Sequence, residues 1–219
     1  MGKDFIIVLA WPEGLVVSSG AWYDKFFAKN GKYRVGHSAL ALVDSLTSKI
    51  HYLDFGRYHT PVGFGRIRDT ETDPDTAIKQ NAIIKSGKIF NIEEILIEIS
   101  NNKSYHGEGA LYSSVISGVN CKKALDYAKK WQEKGAIPYG PFIRNGTNCS
   151  RFVAIITRKA EPSFFKKVRL KYPFCISPSP KRNVSIGNTN YYIVKEQKCL
   201  KINRSTLRAY FTGIEKNYE

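Results

Sequence analysis

The chain has 219 residues, 42% hydrophobic and 24% charged, which is enough for one core, or one core with a small appendage, and it contains no internal repeat or low-complexity segment. Its 34 Lys and Arg against 19 Asp and Glu give a formal charge of +15, which favours anionic partners and says nothing about fold. No apolar stretch is long enough for a transmembrane helix, and the four scattered cysteines, Cys121, Cys149, Cys175 and Cys199, include no CxxC pair, so neither a structural zinc site nor a dense disulfide framework is expected.

The N-terminal run Phe5 to Ala10 is cut off by Pro12 and Glu13, too early for a signal peptide, and reads as a buried strand. The default expectation is therefore a cytoplasmic protein. Gly36 then introduces HSALALV, whose small and apolar residues suit a central strand. The turn-like stretch DSLTSK leads into KIHYLDFG, so the two runs read as a β-hairpin with His37 on one strand and His51 and Asp54 on the other. Residues 56–80 are rich in Gly, Pro, Thr and Asp without periodicity and read as a long insertion, of a length often tied to function.

Farther along, EEILIEIS, Glu93 to Ser100, alternates apolar and acidic positions and predicts an amphipathic strand. GALYSSVIS, from Gly109, predicts another. Asn120 can cap a helix from Cys121 to about Lys134, with Ala124, Leu125, Ala128 and Trp131 facing inward and Gly135 ending it. A basic C-terminal extension from about residue 160 interleaves lysines with aromatic residues, and a terminal strand is expected near Tyr191 to Val194. This order predicts a single α+β domain spanning residues 1–219, an antiparallel sheet packed against a few helices.

The richest segment is IPYGPFIRNGTNCSRFVAIITRKA, which sets Cys149 behind a Gly/Asn/Thr turn and ahead of an apolar helical run, with Thr147 or Asn148 as the natural cap. A thiol at a helix start faces unpaired backbone N–H groups and the positive end of the macrodipole, which favour the thiolate. The plainer alternative is a small buried hydrophobe. A thiolate nucleophile needs a base and a group that orients it, and the hairpin supplies His37 together with His51 or Asp54. Strand alternation sets Asp54 on the opposite face from His51, and the hairpin register favours His51 as the orienting group unless a bulge exchanges them.

The strand histidine in GHSALALV, the second polar position in IHYLDFG and the helix-start cysteine in NCSRFV resemble the circularly permuted NlpC-type papain-like cysteine hydrolases, a superfamily that includes lecithin retinol acyltransferase and its relatives. The order is that of permuted members, in which the histidine precedes the cysteine. Pro138 to Gly140, PYG, is similar to the tyrosine-glycine segment ahead of the cysteine in NlpC-type enzymes. The resemblance implies Cys149 as nucleophile, His37 as base, His51 or alternatively Asp54 as orienting group, and Tyr139 and Asn148 beside the developing oxyanion. It implies neither a metal nor a cofactor. Asn148 and Arg151 stand where peptidases carry Asp and Gly, and NCSRFV is closer to the acyltransferase branch.

Other motifs carry little. GFGR around Gly63 lacks the spacing of a dinucleotide loop, SGK at Ser86 to Lys88 is no P-loop, and DTETDPD lacks the central Gly and final Glu of a calcium loop. His59 and His106 fall in loops without an evident partner. The sequence therefore predicts a thiol hydrolase acting on an amide or ester bond in a peptide, anionic glycan or lipid; an acyltransferase on the same site, or a non-catalytic basic module, are the alternatives. The basic, aromatic C-terminal part suits a membrane surface, and no specific nucleic-acid partner is expected.

Overall fold

The computed structural model describes residues 3–17, 25, 30–34, 36–141, 143, 145–171, 179–211 and 214. Its strands are β1 (Asp4–Trp11), β2 (Leu15–Val17), β3 (Lys32–Arg34), β4 (His37–Val43), β5 (Ile50–Gly56), β6 (Phe64–Arg68), β7 (Ile84–Lys85), β8 (Lys88–Ile89), β9 (Leu111–Val119), β10 (Ile137–Pro138), β11 (Tyr191–Lys195) and β12 (Lys198–Ile202). The helices are α1 (Ile92–Asn101), α2 (Cys121–Gln132), α3 (Cys149–Lys159), α4 (Phe164–Lys171), α5 (Pro180–Gly187) and α6 (Thr206–Phe211). Eight strands form one antiparallel sheet in the order β10-β6-β5-β4-β1-β9-β11-β12, and β2-β3 and β7-β8 are separate two-stranded ribbons.

The sheet is covered on both faces, so its central strands read as continuous apolar runs. Along β1, Ile6, Val8 and Ala10 join Leu40, Leu42, Leu53 and Phe55 against α2, α3 and α5, while Phe5, Ile7, Leu9 and Trp11 join Ala39, Ala41 and Tyr52 against α1. Alternation assigns each residue of β4 and β5 to one layer or the other.

Residues 92–101 form a helix, contrary to the strand predicted for Glu93 to Ser100. The buried residues are Ile92, Ile95, Leu96 and Ile99, the three-and-four spacing of one helical face, whereas the adjacent pairs Glu93-Glu94 and Leu96-Ile97 break any period of two. α2 forms as expected, with the Asn120 side chain accepting the Lys123 N–H at 2.9 Å and Gly135 beyond its end at φ +69°. Residues 56–80 contain β6, which pairs with β5 and β10, followed by a turn closed by two short bonds from Arg66 to Asp73, at 2.6 and 2.7 Å. The basic C-terminal part contributes Val184 and Tyr191 to the main core and pairs β11 with β9. Among the described residues no helix is long and apolar enough to cross a membrane.

Phe152 of α3 is fully buried between Phe55 and Trp131, with ring centroids 6.0 and 6.4 Å away. Phe152→Ala should lower the unfolding free energy in urea by about 3–5 kcal/mol. Leu46→Ala, at a side chain 93% exposed, should change it by less than about 0.5 kcal/mol. Equal effects would contradict the placement of α3 on the sheet.

Candidate active site

His37 is the first residue of β4, at the rim of the sheet. Gly36 before it has φ +66°, and a Cβ there would run into the Trp11 carbonyl oxygen, so glycine permits the close approach that lays the His37 ring on the Trp11 indole, 5.9 Å between centroids and 22° from parallel. The β4-β5 register pairs Ala39 with Asp54 and Leu42 with His51, without a bulge. Counting by twos from Ala39 sets His37, Asp54 and Tyr52 on one face of the sheet and His51 on the other. Asp54, and not the favoured His51, is therefore the residue beside His37: its Oδ2 lies 3.2 Å from His37 Nε2. The regular register across DSLTSK decides this, because no bulge intervenes to exchange the two faces.

Asp54 is fully buried and receives hydrogen bonds from every side. The Tyr52 and Tyr58 hydroxyls donate to Oδ2 at 3.0 and 3.1 Å, and Arg68, opposite Asp54 in the β5-β6 pairing, donates from Nη2 to Oδ2 at 2.6 Å and from Nε to Oδ1 at 3.1 Å. Arg68 also lies 3.5 Å from the centroid of the Tyr58 ring. Burial disfavours the carboxylate, but the bonds and charges of His37 and Arg68 outweigh it and hold Asp54 down at about 2. Burial likewise disfavours charge on His37, and hydrogen bonds to Asp54 and to Cys149 overcome it, raising the imidazole from 6.5 to about 9.

Cys149 opens α3. The Asn148 side chain accepts the Arg151 N–H at 2.9 Å, so the expected oxyanion neighbour Asn148 serves with its carboxamide oxygen as the helix cap. Burial opposes the Cys149 thiolate, yet the hydrogen bond and charge of His37, with hydrogen bonds to Tyr139 and Ser150, lower the thiol below its ordinary range. Tyr139 is carried to this point by β10 and stitched in place: its N–H donates to the Gly63 carbonyl at 2.8 Å, the Gly140 N–H to the Thr147 carbonyl and the Thr147 N–H to the Pro138 carbonyl, at 3.0 Å each. Its ring stacks on Phe55 at 5.5 Å. Burial and the neighbouring Cys149 push the Tyr139 hydroxyl well above its usual value, so it stays protonated.

A cleft of about 560 Å³ reaches His37 and Tyr139, with Arg57, Tyr58, Val62 and Glu108 among its walls. His106 also lines it, stacked on Tyr58 at 5.3 Å, whereas His59 is an exposed loop residue with φ +50°. Cys149, Cys121 and Cys199 are free thiols; Cys121 is buried and pushed up to about 12, chiefly by burial. Cys175 lies outside the described residues. Among the described residues no group of three or more His, Cys, Asp or Glu could hold a metal ion.

Sequence reasoning missed Arg68, Tyr52, Tyr58 and Trp11. The spacing Tyr52-x-Asp54 puts two polar groups on one strand face, and the alternation in FGRIR, Phe64 to Arg68, marks a strand that could deliver a cation to that face.

A family model described as type VI secretion system effector TseH-like matches residues 6–163. Among solved structures, a crystal structure of the type VI secretion system effector TseH shares the fold, with a TM-score of 0.64 and 19% sequence identity over 90% of this chain and 97% of that one. No curated protein matches the chain by sequence.

The lowered Cys149 and raised His37 pKa values fix the sign of a pH test. Alkylation of Cys149 by iodoacetamide should fall off at lower pH than that of an ordinary thiol with a pKa near 8.5. Asp54→Asn removes the charge that keeps His37 protonated, so the profile should move towards that of an ordinary thiol, while His51→Ala should match the wild type. The reverse ranking of the two variants would contradict the geometry.

Proposed function

The chain belongs to the TseH-like family of type VI secretion system effectors, and from that premise we propose that it is a cysteine hydrolase on a permuted papain-like, NlpC-type fold. It cleaves an amide or ester bond of a peptide or peptidoglycan-like substrate through an acyl-Cys149 intermediate. As an effector it acts outside the cytoplasm in which it is made. What carries the reading is the buried pair of His37 and Asp54, Nε2 to Oδ2 at 3.2 Å, together with the lowering of the helix-start Cys149 thiol by His37.

The chemistry follows from the charges. With Nε2 committed to Asp54, Nδ1 is left to hold the proton taken from the thiol, and the thiolate Sγ attacks the substrate carbonyl carbon. Negative charge then develops on the carbonyl oxygen at the start of α3, where the Cys149 N–H and the protonated Tyr139 hydroxyl are the available donors. His37 gives its proton to the leaving amine or alkoxide as the carbon–heteroatom bond breaks. It next removes a proton from water, whose oxygen attacks the thioester, and returns that proton to Sγ when the acid departs. Asp54 keeps its charge throughout and holds the imidazolium.

An acceptor other than water would make the same site an acyltransferase. Arg151, one of the two departures from the peptidase pattern, donates to the Pro141 carbonyl at 3.2 Å and so braces the turn before Cys149.

Incubating the purified protein with peptidoglycan and with phospholipid in heavy-oxygen water should release fragments carrying the label in a new carboxylate, found by mass spectrometry. Cys149→Ala should abolish release, and His37→Gln should reduce it by about a thousandfold or more. Release that persists in Cys149→Ala, or acyl transfer to an added amine without label uptake, would overturn the hydrolase reading.

A further inference from the structure

α4 combines two properties that the catalytic reading does not use. Its sequence FFKKVRLK has four basic and no acidic residues, and Phe164 and Phe165 are 74% and 76% exposed, with Val168 at 38%. At 100° per residue, Phe164, Phe165 and Val168 form one stripe, and Leu170 points to the far side, where it packs with Ala154 and Ile186. Lys167 and Lys171 flank the stripe on one side and Arg169 on the other. Arg169 also reaches the Ala209 carbonyl at 3.5 Å, which brings α6, with Leu207 73% exposed, alongside α4. The helix is thus anchored by one face and presents an apolar stripe with basic margins on the other.

We propose that this face of α4 docks the protein on an anionic phospholipid surface, with the Phe164 and Phe165 rings entering the boundary between headgroups and acyl chains and the flanking cations meeting lipid phosphates. Charge complementarity identifies the partner: residues 158–219 hold fourteen Lys and Arg against four Asp and Glu. The apolar geometry distinguishes lipid from nucleic acid. The two phenylalanine rings meet edge to face, 74° apart with centroids at 6.0 Å, so they offer no parallel platform for bases, and aliphatic Val168 beside them suits acyl chains. The helix begins directly after residue 163, where the family match ends. Docking does not depend on the hydrolase reading.

The test is co-sedimentation of the full chain with vesicles of phosphatidylcholine alone and of phosphatidylcholine mixed with phosphatidylglycerol. The wild type should bind the mixed vesicles and release them as salt rises. Phe164→Ser with Phe165→Ser should weaken binding by about a hundredfold, at about tenfold for each ring withdrawn from the bilayer. Lys167→Glu with Lys171→Glu should weaken it by about tenfold or more and flatten the salt dependence. Cys149→Ala should bind like the wild type whether or not the protein proves to be a hydrolase. Because all four substituted side chains are exposed, the melting temperature should hold in both double variants, and the lysine pair keeps the test valid if the phenylalanine pair fails to fold. Equal binding to both vesicle types, binding unchanged in both double variants, or capture of a nucleic acid or protein without vesicle binding would overturn the proposal.

Discussion

The buried carboxylate of Asp54 is the interaction on which the site depends. An isolated anion at that depth would be costly, and it persists because Arg68, Tyr52, Tyr58 and His37 all direct polar groups at it. The bonds join three neighbouring strands: His37 opens β4, Tyr52 and Asp54 lie on β5, and Arg68 ends β6. Withdrawing one partner from such a buried pair costs about 3–5 kcal/mol because the other is left without compensation. The network therefore fixes the strand register and the imidazole together.

Its second effect is a chain of alternating charge. His37 and Arg68 hold Asp54 as a carboxylate, the carboxylate favours the His37 imidazolium, and the imidazolium favours the Cys149 thiolate. At the other end the thiolate faces the N-terminus of α3, where the macrodipole adds in the same direction. Two further contacts limit how the ring can move: Trp11 lies against one side of His37, and Tyr58 meets it edge-on at 6.4 Å. These contacts prepare the imidazole before substrate arrives, which is what a base in a buried site requires.

Much of this was legible in the sequence because local signals and tertiary demands agreed. The hairpin of GHSALALV and IHYLDFG, the cap and inward stripe of α2, and the helix-start position of Cys149 were each written in spacing and cap chemistry. Two readings failed for identifiable reasons. Residues 93–100 have an apolar-acidic pattern that satisfies alternation loosely and helical spacing better, and burial of Ile92, Ile95, Leu96 and Ile99 decides between them. The choice between His51 and Asp54 depended on register, which a six-residue turn leaves open until Ala39 and Asp54 are seen to pair. Arg68 was hidden because it arrives on a strand embedded in a Gly- and Pro-rich stretch whose pairing is non-local, and Tyr58 because its hydroxyl reaches Asp54 from the loop after β5.

Asp54 and Cys149 together should keep His37 protonated at neutral pH. Nuclear magnetic resonance of ring-labelled histidine, assigned through His37→Gln, reads this directly. His37 should be an imidazolium with both ring nitrogens protonated at pH 7, titrating at about 9. A neutral His37 ring at pH 7, titrating near 6.5 or below, would contradict it.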